Sequence, residues 1–355
     1  MAKLYFEELP SLEVECSLLS GKGDGKKKGS ARPEARGGAT LSFVEQTNSL
    51  VLLGGADRQG RQYGFHGSQG AWEFSLASGK WSVLKTANDE EKQGDIPLPR
   101  SGHCATVLGT KIYITGGMQA SAAASEPETA SSNDVYVFDI QSRLWQKVPI
   151  TNEGDAPAGT NEHRTVGRIV EGTGERLIYI FGGSVADQGP SSTLSILNVT
   201  GDAAMWNPVQ GISGPVPQAR EMHGTFVSEG GKCMTIYGGR SMTGLLADAC
   251  TLDLEKMEWR TPVQSKLGVC GHSAFNVNGN VGIFGGFTGT DFAESFMTLG
   301  DDGTWTQATL APYTPEKRFA LASCQGPDAT LYCFGGSGQS GEIADLFKIA
   351  LPAAT

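Results

Sequence analysis

LIYIFGG, residues 177–183, is five apolar, strand-forming residues halted by two glycines. The same device recurs as LVLLGG ending at Gly55, KIYITGG at Gly117, MTIYGG at Gly239, VGIFGG at Gly286 and LYCFGG at Gly336. The copies lie roughly fifty to sixty-five residues apart and span the chain, the mark of a repeat architecture.

Each copy sits in a similar frame. A second apolar run follows the glycines, as in NDVYVFDI (133–140), ADACTLDL (247–254), AESFMTLG (293–300) and ADLFKIAL (344–351). A polar turn and a tryptophan come next: Trp81, Trp145, Trp206, Trp259, Trp305. Ahead of the glycines lies another strand, often opened by arginine and carrying histidine, as in RSGHCATVLG (100–109), REMHGTFVSE (220–229) and GHSAFNVNG (271–279). One unit therefore reads as four short strands, a to d.

The apolar runs are continuous rather than alternating, so the double-glycine strand is expected to be buried on both faces. An antiparallel sheet is covered on both sides when like sheets stack against it radially, which predicts an all-β propeller. The glycines supply a left-handed backbone where a Cβ would clash, and each tryptophan fills the gap between neighbouring sheets. In its double glycines and trailing tryptophans the chain resembles the kelch-repeat family over almost its whole length. That resemblance implies a six-bladed kelch β-propeller with four antiparallel strands per blade and a single domain over 1–355. The blades are expected at about 36–86, 100–150, 160–210, 218–264, 269–310 and 317–351.

The last unit ends without a tryptophan, while KLYFEELP near the start matches an orphan fourth strand. There Phe6, Leu9 and Pro10 align with Trp145, Val148 and Pro149. Residues 3–10 are therefore expected to complete blade six and seal the sheet edges.

The bulk composition agrees. Glycine, at 49 of 355 residues, is about twice its usual share, as many short strands and turns require. A formal net charge of −10 argues against general nucleic-acid binding. No apolar stretch is long enough to span a bilayer, and the opening residues lack a basic-then-apolar export signal. A cytoplasmic monomer is expected. The seven cysteines mostly sit within apolar strand patterns and read as buried thiols, not a disulfide framework; the sequon at Asn198 is then incidental.

In consecutive antiparallel strands, the b–c loops and the d-to-a connections leave from one end of the blade. All four long connections, 20–36, 56–70, 82–100 and 118–133, fall on that face in neighbouring sectors. Function is expected there, against the plainer reading of tolerated insertions. Arg36, Arg100, Arg220 and Arg318, which open strand a, and Arg240 after a double glycine, are expected around the channel mouth on the same face. Two readings of these arginines stand side by side. In kelch adaptors that this chain resembles, such arginines grip acidic peptide segments through fork-shaped pairing with carboxylate or phosphate. Alternatively they are repeat residues making structural hydrogen bonds. Thr160 and Val269 interrupt the set. GKGDGKKKGS (21–30) reads as a solvated basic loop, and ASAAASEPETASS (120–132) offers phosphorylatable hydroxyls.

Four of the five histidines, His103, His163, His223 and His272, occupy one repeat position, which explains them better than metal ligation; His66 lies in a variable loop. The residue supply for a copper oxidase is missing, and so is the Glu-x₃-Asp-x₃-His run of iron-holding specifier proteins. The lysine-rich stretch lacks phosphate-loop spacing. The sequence thus points to a non-catalytic protein-interaction scaffold without cofactor or metal, whose partner carries an acidic or phosphorylated segment. A small-molecule enzyme resembling sialic-acid mutarotases, using an arginine-lined channel mouth, is the alternative.

Overall fold

The computed structural model describes residues 12–21, 31–67, 70–88, 95–120, 129–293, 296–327 and 329–351. Strands dominate, and no helix among the described residues is long and apolar enough to cross a membrane. The expected terminal strand at 3–10, and much of the long connections, lie outside the described residues.

The strands assemble as antiparallel meanders of four. Sheet 1 contains Thr40–Val44, Ser49–Leu53, Trp72–Ser75 and Lys80–Val83, and sheet 2 contains Cys104–Leu108, Lys111–Thr115, Val135–Asp139 and Leu144–Lys147. Sheet 3 contains Arg164–Ile169, Arg176–Phe181, Leu194–Asn198 and Met205–Asn207. Sheet 4 contains Gly224–Ser228, Cys233–Tyr237, Asp248–Asp253 and Glu258–Trp259, with Val263–Gln264 added at its edge. Short two- and three-stranded ribbons lie outside these meanders, and eight further strands form one sheet with two halves. Its first half, sheet 5, holds Ser273–Val277, Asn280–Phe284, Phe296–Leu299 and Trp305–Pro312. Its second half, sheet 6, holds Ala322–Gln325, Thr330–Phe334 and Leu346–Ala350, with Leu12–Ser20 as the fourth strand. That strand from early in the chain runs antiparallel to Leu346–Ala350 and parallel to Trp305–Pro312.

Burial explains the sequence pattern. Ser49–Leu53 and Cys233–Tyr237 are buried at every position, whereas Cys104–Leu108, Gly224–Ser228 and Ser273–Val277 alternate. The double-glycine strand has a sheet on each side, while strand a turns alternate residues toward a central cavity. The strands a touch in sequence from sheet 1 through sheet 6, and sheet 6 touches sheet 1 again. Apolar cores fill the seams between neighbours: Trp259 meets Phe181 at 5.3 Å, Trp305 meets Tyr237 at 5.1 Å, and Trp81 meets Phe334 at 5.6 Å. Burying one such side chain contributes about 1.5–3 kcal/mol, and the edge-to-face ring pair adds about 1 kcal/mol. All seven cysteines are unpaired, and six are buried.

The paired glycines are seam residues. In Gly116-Gly117 both have positive φ, 61° and 92°. A Cβ on Gly116 would lie 2.5 Å from the Thr160 carbonyl oxygen of the next sheet, and one on Gly117 would lie 2.7 Å from His103 Cβ. The close approach also makes a bond, since the Gly117 amide donates to the Thr160 carbonyl at 2.9 Å. The same bond recurs from Gly55 to Arg100, Gly183 to Arg220, Gly239 to Val269, Gly286 to Arg318, and Gly336 to Arg36.

Candidate functional site

The strands a enclose a cavity of about 390 Å³. Its rim is built from one residue of each sheet: Gly38, Gly102, Glu162, Met222, Gly271 and Ala320. All six hold a left-handed backbone, with φ between 53° (Ala320) and 64° (Gly102). Their amides form a circuit. Gly38 donates to the Ala320 carbonyl (2.9 Å), Gly102 to Gly38 (3.0 Å), Glu162 to Gly102 (2.8 Å), Met222 to Glu162 (2.9 Å), Gly271 to Met222 (2.8 Å) and Ala320 to Gly271 (2.7 Å). Glycine takes this conformation without steric cost, whereas Glu162, Met222 and Ala320 are held there at about 1–2 kcal/mol each.

Of the arginines expected around the channel mouth, the four that open strand a are enclosed by protein. Arg36, Arg100, Arg220 and Arg318 are fully buried. In each, Nη1 donates to the carbonyl of the first glycine of its own pair: Gly54 at 3.1 Å, Gly116 at 2.9 Å, Gly238 at 3.0 Å and Gly335 at 3.0 Å. In each, Nε donates to the carbonyl two residues back. The remaining donors of three of them meet side-chain partners, whereas Arg36 Nη2 is buried without one. Arg220 forks onto Asp248 at 2.8 and 2.9 Å, Arg318 pairs with Asp345, and Arg100 donates to Gln119 Oε1 at 3.0 Å. Arg36 lies over the Tyr63 ring, 3.7 Å from its centroid. The glycine turn leaves a carbonyl without a sheet partner, and the arginine satisfies it. Buried and bonded in this way, these four fit the second of the two readings, repeat residues making structural hydrogen bonds.

Arg240 alone of the five reaches solvent, with its side chain 58% exposed. Its Nε donates to Glu221 Oε1 at 2.7 Å and its Nη2 to the same oxygen; among the described residues Nη1 donates to none. Three half-buried phenylalanines cluster in the neighbouring sheets, 5 and 6. Phe292 stacks on Phe319 with centroids 5.8 Å apart, and Phe287 lies 6.3 Å from each.

The four repeat histidines are buried, and desolvation lowers their pKa, to about 3 for His103, His163 and His272. His103 and His163 share hydrogen bonds through Nε2 with Thr40 (2.9 Å) and Thr115 (3.1 Å), whereas both ring nitrogens of His223 and His272 lack partners. His66 is exposed. Among the described residues, no group of three or more His, Cys, Asp or Glu gathers as a metal-binding cluster.

Sequence reasoning missed Glu162 and Arg164, which flank His163 and line the cavity. Burial pushes the Glu162 carboxyl up; Arg164 pulls it down, Glu221 raises it further and Arg240 lowers it. A signal existed, because a charged residue appears on each side of the third histidine where other repeats carry small or apolar ones. The rim phenylalanines gave none, since they come from separate turns.

A family model described as the KLHDC2/KLHL20/DRC7 Kelch-repeats domain matches residues 24–176 and 169–353. The chain belongs to the kelch-repeat family. Among its relatives, Kelch domain-containing protein 3 of Bos taurus is 27% identical over 261 residues, covering 67% of this chain and 64% of the relative. The flagellar outer-arm dynein alpha chain of Chlamydomonas reinhardtii is 28% identical over 65% of this chain, and human host cell factor 1 is 26% identical over 71%. The kelch chain spans under two thirds of these relatives: 64%, 5% and 13% of their respective lengths. N-(sulfonatooxy)prop-2-enimidothioate sulfolyase of Thlaspi arvense matches over only 30% of this chain, at 34% identity.

Proposed function

We propose that this chain is a single-domain, six-bladed kelch propeller whose ring is sealed by Leu12–Ser20, and that it serves as a non-catalytic scaffold binding a protein partner on the rim face. The complete circuit of six rim hydrogen bonds supports the six-sector reading, because it returns to its starting residue only if the sheets stand in a ring. The pairing of Leu12–Ser20 with Leu346–Ala350 supports closure.

The observation that carries the binding reading is the rim of sheets 4 to 6. There Arg240 presents an open guanidinium edge while its counter-charge, Glu221, lies buried beneath it, and the neighbouring sheets carry partly exposed aromatic rings. Exposed arginine and aromatic surface are the residue chemistry of interaction hot spots. An acidic partner segment would meet Arg240, not the four buried arginines. The same burial weighs against the arginine-lined enzyme site, whose cations would have to leave carbonyl and carboxylate partners.

Affinity capture with Arg240→Gln and Phe292→Ala variants tests the reading. Both should lose the partner retained by the parent while melting within a few degrees of it. Undiminished capture by both variants would refute a rim site there.

A further inference from the structure

Arg164 stands at a repeat position held in the other sheets by Thr40, Cys104, Gly224, Ser273 and Ala322. The repeat needs no cation there. Its Nη1 donates to the His163 carbonyl at 2.9 Å and lies 3.8 Å from Glu162 Oε2, too far for a direct hydrogen bond. The Cys104 thiol is its other polar neighbour. Among the described residues, Nε and Nη2 of Arg164 have no oxygen acceptor, and the Glu162 carboxylate accepts no hydrogen bond. Both side chains remain about a quarter exposed, so solvent reaches them in the cavity.

Glu162 holds a left-handed backbone, φ 55°, at the ring position that is glycine in three sheets, and its side chain lines the cavity together with Arg164.

We infer that the central cavity binds a small carboxylic acid bearing an adjacent hydroxyl or amino group, its carboxylate held by Arg164 and its donor group by Glu162. A guanidinium with two open donors matches a carboxylate in plane, and an open carboxylate accepts from a hydroxyl or ammonium. The volume, about 390 Å³, lies within the range of small-ligand pockets. The site uses Glu162 and Arg164 on the cavity wall and none of the rim phenylalanines.

Calorimetric titration of the full chain with L-malate, L-glutamate and salicylate, at ionic strength fixed with sodium chloride, tests the inference. At least one acid should bind saturably, Arg164→Gln should weaken it roughly tenfold or more, and Arg260→Gln, at an exposed pair with Glu229 away from the cavity lining, should leave it unchanged. No saturable binding, or equal binding by Arg164→Gln, would overturn it. Should that variant not fold, crystals of the parent protein grown with 5-bromosalicylate give the answer. An anomalous bromine peak in the cavity beside Arg164 supports the site; no peak, or peaks only elsewhere, refutes it.

Discussion

At the scale of single residues, the arginines divide by what their guanidiniums meet. Arg220 is buried, with Asp248 and the Gly238 carbonyl as partners, so removing it strands a carboxylate in a dry seam. Arg220→Ala should cost about 3–5 kcal/mol in urea denaturation. Arg240→Ala leaves the buried Glu221 without its donor but at the solvent boundary, and should cost less, about 1–3 kcal/mol. Similar losses in both would contradict the division between strut and surface. The histidines make a second residue-level prediction. His103, His163 and His272 have native pKa values of about 3, below the ordinary value of 6.5. The unfolded chain therefore takes up protons below pH 6.5 that the native chain refuses. Their contribution is complete above pH 6.5 and is lost as pH falls toward 3, at up to about 1.4 kcal/mol per pH unit for each histidine. Stability measured from pH 7 to 5 should drop steeply; a flat profile would mean that the imidazoles are accessible to protons.

At the scale of the element, the seam between sheets depends on atoms that are not there. The double glycines were legible in sequence because the absence of a Cβ is a local property repeated in register. Their reason lies in the next sheet, where a Cβ on Gly182 would come 2.5 Å from the Arg220 carbonyl oxygen. Gly182→Ala adds a left-handed alanine to that clash, so unfolding should cost more than about 2 kcal/mol, read from its urea midpoint. A variant as stable as the parent would show that the seam is looser than described. The roles of the strand-opening arginines were not legible in the same way. Sequence shows an arginine at the start of strand a, but Asp248 lies 28 residues beyond Arg220, and only folding brings the two together. Glu162 and Arg164 escaped notice for a related reason. Two charges beside a repeat histidine become a site only when strands from other sheets wall the cavity around them.

At the scale of the whole molecule, six sheets share seams of the same kind, and the strand Leu12–Ser20 supplies an edge that the last sheet lacks. Sequence counting expects a strand from the start of the chain to finish the last sheet, because one unit lacks its fourth strand, and places it at residues 3–10. Those residues lie outside the described ones, and the described partner of Leu346–Ala350 is Leu12–Ser20. Val14 and Cys16 place apolar side chains among Phe275, Phe296, Leu331 and Phe347 in the core that joins sheets 5 and 6. Losing that strand would open this core and expose two sheet edges at once. Thermal unfolding of a chain lacking residues 1–20, compared with the parent, therefore measures ring closure most directly. The expected result is a fall in Tm of ten degrees or more, with loss of a single cooperative transition. A truncated chain melting within about two degrees of the parent would contradict the closed ring.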